Sequence, residues 1–250
     1  MKDNFSKNSP EYAQFRPKYP VELFSYLKNI LEQKETAWDC GTGNGQVAGR
    51  LANFFKRVEA TDISQQQLDN AVKVSNINYS LQTAEKTNFP DNTFDLITVA
   101  QAIHWFDFSQ FYKEVNRTLK PGGIIAVIGY GLFKSNKLTN DLINHFYRDI
   151  VGPFWDPERR YLDDGYRSIQ FPFKEIQTPD LEMEFSWDFE HLIGYLKTWS
   201  AVKHFQNKHG YDPVNAILGD LKDAFGERGV VKFPLFFRVA QKDIQISNGN

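Results

Sequence analysis

The chain has almost no cysteine: Cys40 is the single one in 250 residues. One thiol cannot close an internal disulfide, so a bridge-stapled secreted scaffold is excluded. Long apolar runs are also missing, and no stretch reaches the length of a membrane span. The opening "MKDNFSKNSPEYAQFRPKYP" is polar and lacks the apolar centre of a signal peptide. A cytoplasmic protein without a membrane partner is therefore expected. Charge of either sign is not in excess: 29 basic residues face 31 acidic ones, a net charge of −2. That balance supplies no broad positive field for nucleic acid. No internal repeat and no long low-complexity segment is present. His145, His191, His204 and His209 lack cysteine or acidic partners at ligand spacing, so no metal is expected. The length fits one domain spanning 1–250.

What the chain does have is alternation. "PVELFSYLKNIL" reads as a helix with Pro20 at its first position and Leu23, Leu27, Ile30 and Leu31 on one face. A short strand ends near Asp39, and a helix carrying Val47, Leu51 and Phe54 or Phe55 follows. "RVEATDIS" is a strand ending at Asp62, after which Ser64 and Gln67 have capping-box spacing. "INYSLQTAE" is a third strand. Phe94 to Val99 forms a fourth, too continuously apolar to face water on one side. Asp107 can cap a helix with Phe111, Val115 and Leu119; "LKPGG" breaks it, and "IIAVIGYG" is another buried strand. Strand and helix thus alternate from about 34 to 131, which predicts an α/β, doubly wound, mostly parallel sheet with helices on both faces. A helical insertion is expected after the fifth strand. Residues 132–170 read as helical and irregular. "PFKEI" and "LEMEFSWDF" read as strands, "EHLIGYLKTWSAVKHF" as one helix, and "VVKFPLFFRVAQK" as a closing strand whose Pro234 suggests a bulge or an edge. The expected organisation is a cofactor-binding core at 34–131, an N-terminal lid and helix at 1–33, and substrate-side elements at 132–230.

Ligands of such sheets bind beyond the carboxyl ends of the strands. There the sequence places "DCGTGNG", with Gly41, Gly43 and Gly45 two residues apart, unlike the G-x-G-x-x-G of pyrophosphate loops. Asp39, two residues before Gly41, repels a pyrophosphate at close range and favours a cation. Asp62, 21 residues after Gly41, has the spacing at which a carboxylate meets a ribose diol. A ribose plus a cationic tail without phosphate describes S-adenosylmethionine, and the same loop disfavours a nicotinamide dinucleotide.

The chain resembles the class I S-adenosylmethionine-dependent methyltransferases, and the resemblance implies their Rossmann-like fold with a mostly parallel sheet of seven strands. The resemblance is carried by "DCGTGNG", "ATDIS", "TAEKTNFPDNTFDLITVAQAIHWFD" and "LKPGG", in order over 38–123, extended by Tyr19–Pro20 and "IIAVIGYG". "FRPKYP", "QAIHWFD" and "YLKTWSAV" are similar to the subgroup that includes trans-aconitate methyltransferases and related small-molecule enzymes. The resemblance implies that Asp39, Gly41 and Gly43 surround the methionine moiety and that Asp62 holds the ribose hydroxyls. Ile63 would lie on the adenine, Ala84 and Glu85 at its edge, and Gln101 and Ala102 beside the sulfonium. Tyr12 and Tyr19 would close over the cofactor, with Tyr12 also facing the substrate.

Methyl transfer is an in-line displacement that needs alignment and exclusion of water. A carboxylate acceptor, already ionised near pH 7, needs no base; a hydroxyl or ammonium acceptor does, and His104 is then the candidate, with packing within "HWF" as its other reading. Arg16, Arg159, Arg160 and Arg167 are candidates for a substrate carboxylate. Trp105, Trp155, Tyr161 and Trp199 are candidates for a pocket wall, or for plain core. The expected function is methyl transfer to a small molecule through a carboxylate or other oxygen, by a monomer or homodimer. RNA or protein methylation and non-catalytic cofactor binding are the alternatives.

Overall fold

The structure, a computed structural model, describes residues 14–243. Along the chain run α1 (Val21–Ile30), β1 (Thr36–Cys40), α2 (Gln46–Leu51), β2 (Arg57–Asp62), α3 (Gln65–Asp69), β3 (Ile77–Leu81) and β4 (Phe94–Ala100). Then follow a 3-10 turn at Ile103–Trp105, α4 (Phe108–Thr118), β5 (Leu119–Tyr130), α5 (Lys137–His145), α6 (Arg159–Asp163), β6 (Lys174–Ile176) and β7 (Glu182–Asp188). The last elements are α7 (Phe189–Lys197), α8 (Ser200–His209), α9 (Leu218–Phe225) and β8 (Arg228–Gln241).

The apolar strands lie where both sheet faces are covered. On β5, Ile124, Ala126, Ile128 and Tyr130 join one core, with Leu23 and Leu27 of α1. Ile125 and Val127 point into the other, with Trp38 and the Phe111 of α4. This period-two division between two dry faces explains the unbroken apolar run. Seven strands lie in line in the order β3-β2-β1-β4-β5-β8-β6. The first five pair in parallel, while β8 runs antiparallel to β5. An eighth strand, β7, pairs with the half of β8 that extends past β5.

Pro234 sits at the handover. Residues up to Pro234 pair with β7, and Leu235 onward pairs with β5. A residue without an N–H is tolerated at such an edge. Three local readings shift. Pro20 is the residue before α1 rather than its first residue. "LKPGG" ends α4 but is absorbed into β5 as a register irregularity between Phe94 and Leu96. The expected single helix at 190–205 is two: the Thr198 hydroxyl donates to the Tyr195 carbonyl at 2.6 Å, competing with helix continuation, and Trp199 is extended. Ser64 and Asp107 cap as expected, accepting from the backbone N–H groups of Gln67 and Gln110. Among the described residues no helix is long and apolar enough to cross a membrane.

Candidate cofactor and acceptor site

Parallel strands bring Asp39, Asp62 and Gln101 to one end of the sheet. They line a cleft of about 950 Å³, measured with its open mouth, together with Tyr19, Gly41, Gly43, Ile63, Ala102 and Trp105. Eight of the ten residues expected at the cofactor are thus brought together. The other two are elsewhere. Ala84 is buried in the second core. Glu85 accepts the Asp107 N–H at 3.1 Å, next to the start of α4. Neither is among the residues lining the cleft.

The glycine loop is held from beneath by Asp39. Its Oδ2 accepts the Thr42 hydroxyl at 2.6 Å and the Ala48 N–H at 3.0 Å; its Oδ1 accepts the Thr98 hydroxyl at 2.7 Å. Its place before the glycine loop aims this carboxylate at a ligand cation. The structure adds a second task, tying the loop and the start of α2 to β4, and leaves Asp39 only 1% exposed. Burial raises its pKa from the usual 3.8 to about 6 against those three hydrogen bonds, and the neighbouring charge of Asp62 adds to the rise. Thr42 and Thr98 were not singled out in the sequence, although a threonine inside an apolar strand is a signal of a buried polar partner.

Asp62 takes one backbone N–H on each oxygen, Gly43 at 2.8 Å on Oδ2 and Ser64 at 2.9 Å on Oδ1. Each oxygen of a carboxylate has two acceptor positions, the chemistry that suits a ribose diol. Gly43 is left-handed, with φ +56°, and a Cβ there would meet nothing nearer than Gln67 Oε1 at 4.0 Å. Its bare backbone therefore faces open space, as a loop cradling a ligand requires. Gly41 differs: a Cβ would lie 2.7 Å from the Cβ of Ala102, so the segment after β4 can rest on it only because it is glycine. Among the described residues, two carboxylates and one guanidinium, that of Arg16, line the cleft. The lining fits a cationic nucleoside and does not fit a pyrophosphate. Cys40 is buried and its thiol is pushed well up by burial and nearby carboxylates, so it is not set as a nucleophile.

A second cavity, about 450 Å³ with its mouth, shares Arg16, Gln101 and Trp105 with the cleft and adds His104, Trp155, Asp156, Arg159, Leu162 and Ser200. Gln101 stands between the two with φ +54°, an uncommon conformation for a non-glycine residue, and its side-chain amide donates to the Tyr130 carbonyl at 3.1 Å. Arg16 donates to Tyr130 Oη at 3.3 Å and to the Thr198 carbonyl at 3.2 Å. The Arg159 guanidinium lies 4.5 Å from the Trp155 ring centroid, and its Nε donates to Tyr147 Oη at 2.8 Å. Burial, and secondarily the charge of Arg159, hold His104 down at about 3.

The other described residues expected on the acceptor side do not line this cavity. Trp199 is core, packed among Phe146, Tyr147, Trp155 and Tyr195. Arg160 is drawn outward onto the Tyr161 ring, 4.8 Å from its centroid. Arg167 donates to the Asp164 carbonyl. Tyr12 lies outside the described residues.

Comparison with known proteins identifies the family. A family model described as a methyltransferase domain matches residues 38–127. A Dictyostelium discoideum protein that carries a methyltransferase name is 35% identical over 96% of this chain and 95% of its own length. A Mycobacterium tuberculosis methyltransferase described as uncharacterized is 32% identical over 73% of this chain and 70% of its own. The structure of a type II methyltransferase, so described, from Anaeromyxobacter dehalogenans superposes with TM-score 0.83 at 36% identity, covering 91% of this chain and 98% of that one. The chain belongs to the class I S-adenosylmethionine-dependent methyltransferases, and S-adenosylmethionine is its cofactor.

Proposed function

We propose that the protein transfers a methyl group to a carboxylate oxygen of a small-molecule acid. The observation that carries this reading is the cavity that shares Arg16, Gln101 and Trp105 with the cofactor cleft and has Arg159 in its wall. No hydrogen-bond partner engages the Arg159 Nη groups among the described residues, whose guanidinium contacts are made through Nε and the ring faces. Arg16 adds a second positive group, and Asp156, paired to His204 at 3.3 Å, is the negative one. A guanidinium with open Nη groups is the fork that receives a carboxylate bidentately.

When bound, S-adenosylmethionine supplies a methyl group on a positively charged sulfur that an acceptor oxygen takes by in-line displacement, the electron pair staying on sulfur. The chain's own part is to bind, orient and keep water out. The glycine loop and Asp62 hold the nucleoside. Asp39 contributes a buried negative charge beneath it. Gln101 and Trp105 stand where the two cavities meet. His104, held far below its ordinary pKa, takes up no proton near pH 7, which suits an acceptor that arrives ionised. In this reading the N-terminal segment acts as a lid, residues 132–230 shape the acceptor side, and the trans-aconitate methyltransferase-like resemblance points to the same chemical class.

Incubation with radiolabelled S-adenosylmethionine and, separately, a panel of small carboxylic acids, total RNA and a protein extract tests the reading. Label is expected as a base-labile ester of an acid. Label confined to RNA or to protein overturns it.

A further inference from the structure

Tyr166 is fully buried and left-handed, with φ +62°. A bulky aromatic residue rarely adopts that conformation, and strain of this kind persists only where surrounding structure enforces it. Several contacts enforce it here. The Tyr166 N–H donates to the Tyr161 carbonyl at 2.7 Å, and its carbonyl accepts from Arg238 Nη1 at 2.7 Å. Arg238 also donates to the Ile169 carbonyl and pairs with Glu175, which fixes the guanidinium in turn. The ring lies over Gly129 of β5, where a Cβ would come within 2.4 Å of it. All of this places the Tyr166 hydroxyl 3.1 Å from Nδ1 of His104. His104 itself lines the acceptor cavity, and its Nε2 has no protein partner among the described residues.

From this arrangement, and resting on the carboxylate reading above, we infer that Tyr166 locks His104 in the Nε2–H tautomer, so that His104 serves the acceptor as a hydrogen-bond donor and not as a base. A neutral imidazole has one donor and one acceptor nitrogen, and the partner of one nitrogen sets the role of the other. A phenol is the more acidic donor and imidazole nitrogen the more basic acceptor, so O–H···Nδ1 is the stronger of the two pairings in a dry site. Nδ1 then accepts and Nε2 carries the proton into the cavity. An N–H there complements a carboxylate; the opposite tautomer would present a lone pair to it. His104 Nε2–H thereby engages the carboxylate oxygen that becomes the ester carbonyl, leaving the other oxygen to take the methyl. No proton moves in that step. Burial and the nearby Arg159 charge keep the ring neutral, which preserves the tautomer.

Long-range proton–nitrogen NMR of ¹⁵N-histidine-labelled protein reads the tautomer without any acceptor, with His104→Gln assigning the signal. The Nε2–H pattern is expected; an Nδ1–H pattern overturns the inference. Tyr166→Phe removes the hydroxyl donor. It is expected to mix the tautomers and lower kcat/KM for the methylated acid by roughly tenfold to a hundredfold, the effect of one hydrogen bond to a charged group. Calorimetric affinity for S-adenosylmethionine should stay the same. Unchanged tautomer and kcat/KM in folded Tyr166→Phe overturn the inference, and the spectrum of the unsubstituted protein still decides if that variant does not fold. His104→Gln, which keeps an N–H near the Nε2 position, should recover most of the activity that His104→Leu loses; equal loss in both overturns the donor role. Absence of label in every acid, with the Nε2–H pattern present, refutes the carboxylate reading and leaves the tautomer lock standing.

Discussion

Asp39→Asn isolates the electrostatics beneath the cofactor. In the free protein the Asp39 pKa is about 6, against 3.8 for the ordinary group. Two units correspond to about 3 kcal/mol of penalty for keeping the carboxylate charged near pH 7. The native state therefore binds a proton more readily than the unfolded chain, and the free protein gains stability on this group's account as pH falls. The gain begins near pH 6, reaches about 1 kcal/mol at pH 5 and saturates below the unfolded value. A cationic ligand has the opposite effect, because it favours the ionised carboxylate. If it returns the Asp39 pKa to its ordinary range, affinity for S-adenosylmethionine weakens about tenfold between pH 7 and pH 5 and binding near pH 5 releases close to one proton. Asparagine is the matched control. Its oxygen can accept from Thr42 and Ala48 as Oδ2 does, while its amide donates to the Thr98 hydroxyl in place of the Oδ1 contact. Titration calorimetry at pH 5, 6 and 7, in buffers of different ionisation enthalpy, measures both quantities. The slope and the proton release should vanish in Asp39→Asn. A flat wild-type affinity, or an identical slope in the variant, refutes the argument that this buried charge senses the ligand's.

Asp62→Ala should weaken S-adenosylmethionine binding by more than tenfold, at least about 1.4 kcal/mol, through the lost diol acceptor and the released Gly43 N–H; an unchanged dissociation constant in calorimetry counts against the ribose role. Gly41→Ala should lower the melting temperature more than Gly43→Ala. Both pay the left-handed strain of about 1–2 kcal/mol, but only at position 41 does the new Cβ strike backbone-borne atoms, 2.7 Å from Ala102 Cβ; equal melting shifts contradict that geometry. Arg159→Met should raise KM for the acid acceptor roughly tenfold to a hundredfold with S-adenosylmethionine affinity unaltered, and Arg159→Lys should restore less than half of the loss in free-energy terms because an ammonium lacks the planar fork. A KM unchanged in Arg159→Met places the acceptor's anion elsewhere.

Much of this protein is written in short-range pattern. The near-continuous apolar runs at 94–99 and 124–130 dictate strands covered on both faces. Ser64 and Asp107 announce helix starts three residues ahead of the N–H groups they cap. Glycines at 41, 43 and 45 between two strand-terminal aspartates announce the turn after β1 and the cleft beside it, because neighbouring residues in a β-turn-α unit have only a few geometries open to them. Glu85 has the right spacing for an adenine edge, and the structure adds a partner for its Oε1, the Asp107 N–H 22 residues on. Where local pattern misled, a longer-range interaction had intervened. The helix expected to run through Trp199 breaks at Thr198, whose carbonyl receives Arg16 from 182 residues away.

The cavity proposed for the acceptor draws candidates that the sequence offers, Arg16, His104, Trp105, Trp155 and Arg159, but only tertiary structure selects and assembles them. Arg159 and Arg160 are adjacent in a sequence that treats them alike; the short helix α6 turns one toward Trp155 and the cavity and the other outward onto Tyr161. His104 meets Tyr166 across 62 residues, by way of a backbone conformation that neither residue's neighbours would suggest. Capping, alternation and glycine turns are decided by atoms a few residues apart, so composition and spacing encode them directly. A cavity wall is decided by which side chains remain uncommitted once the sheet, its two cores and the antiparallel β8 have packed, and that remainder exists only after the whole chain has closed.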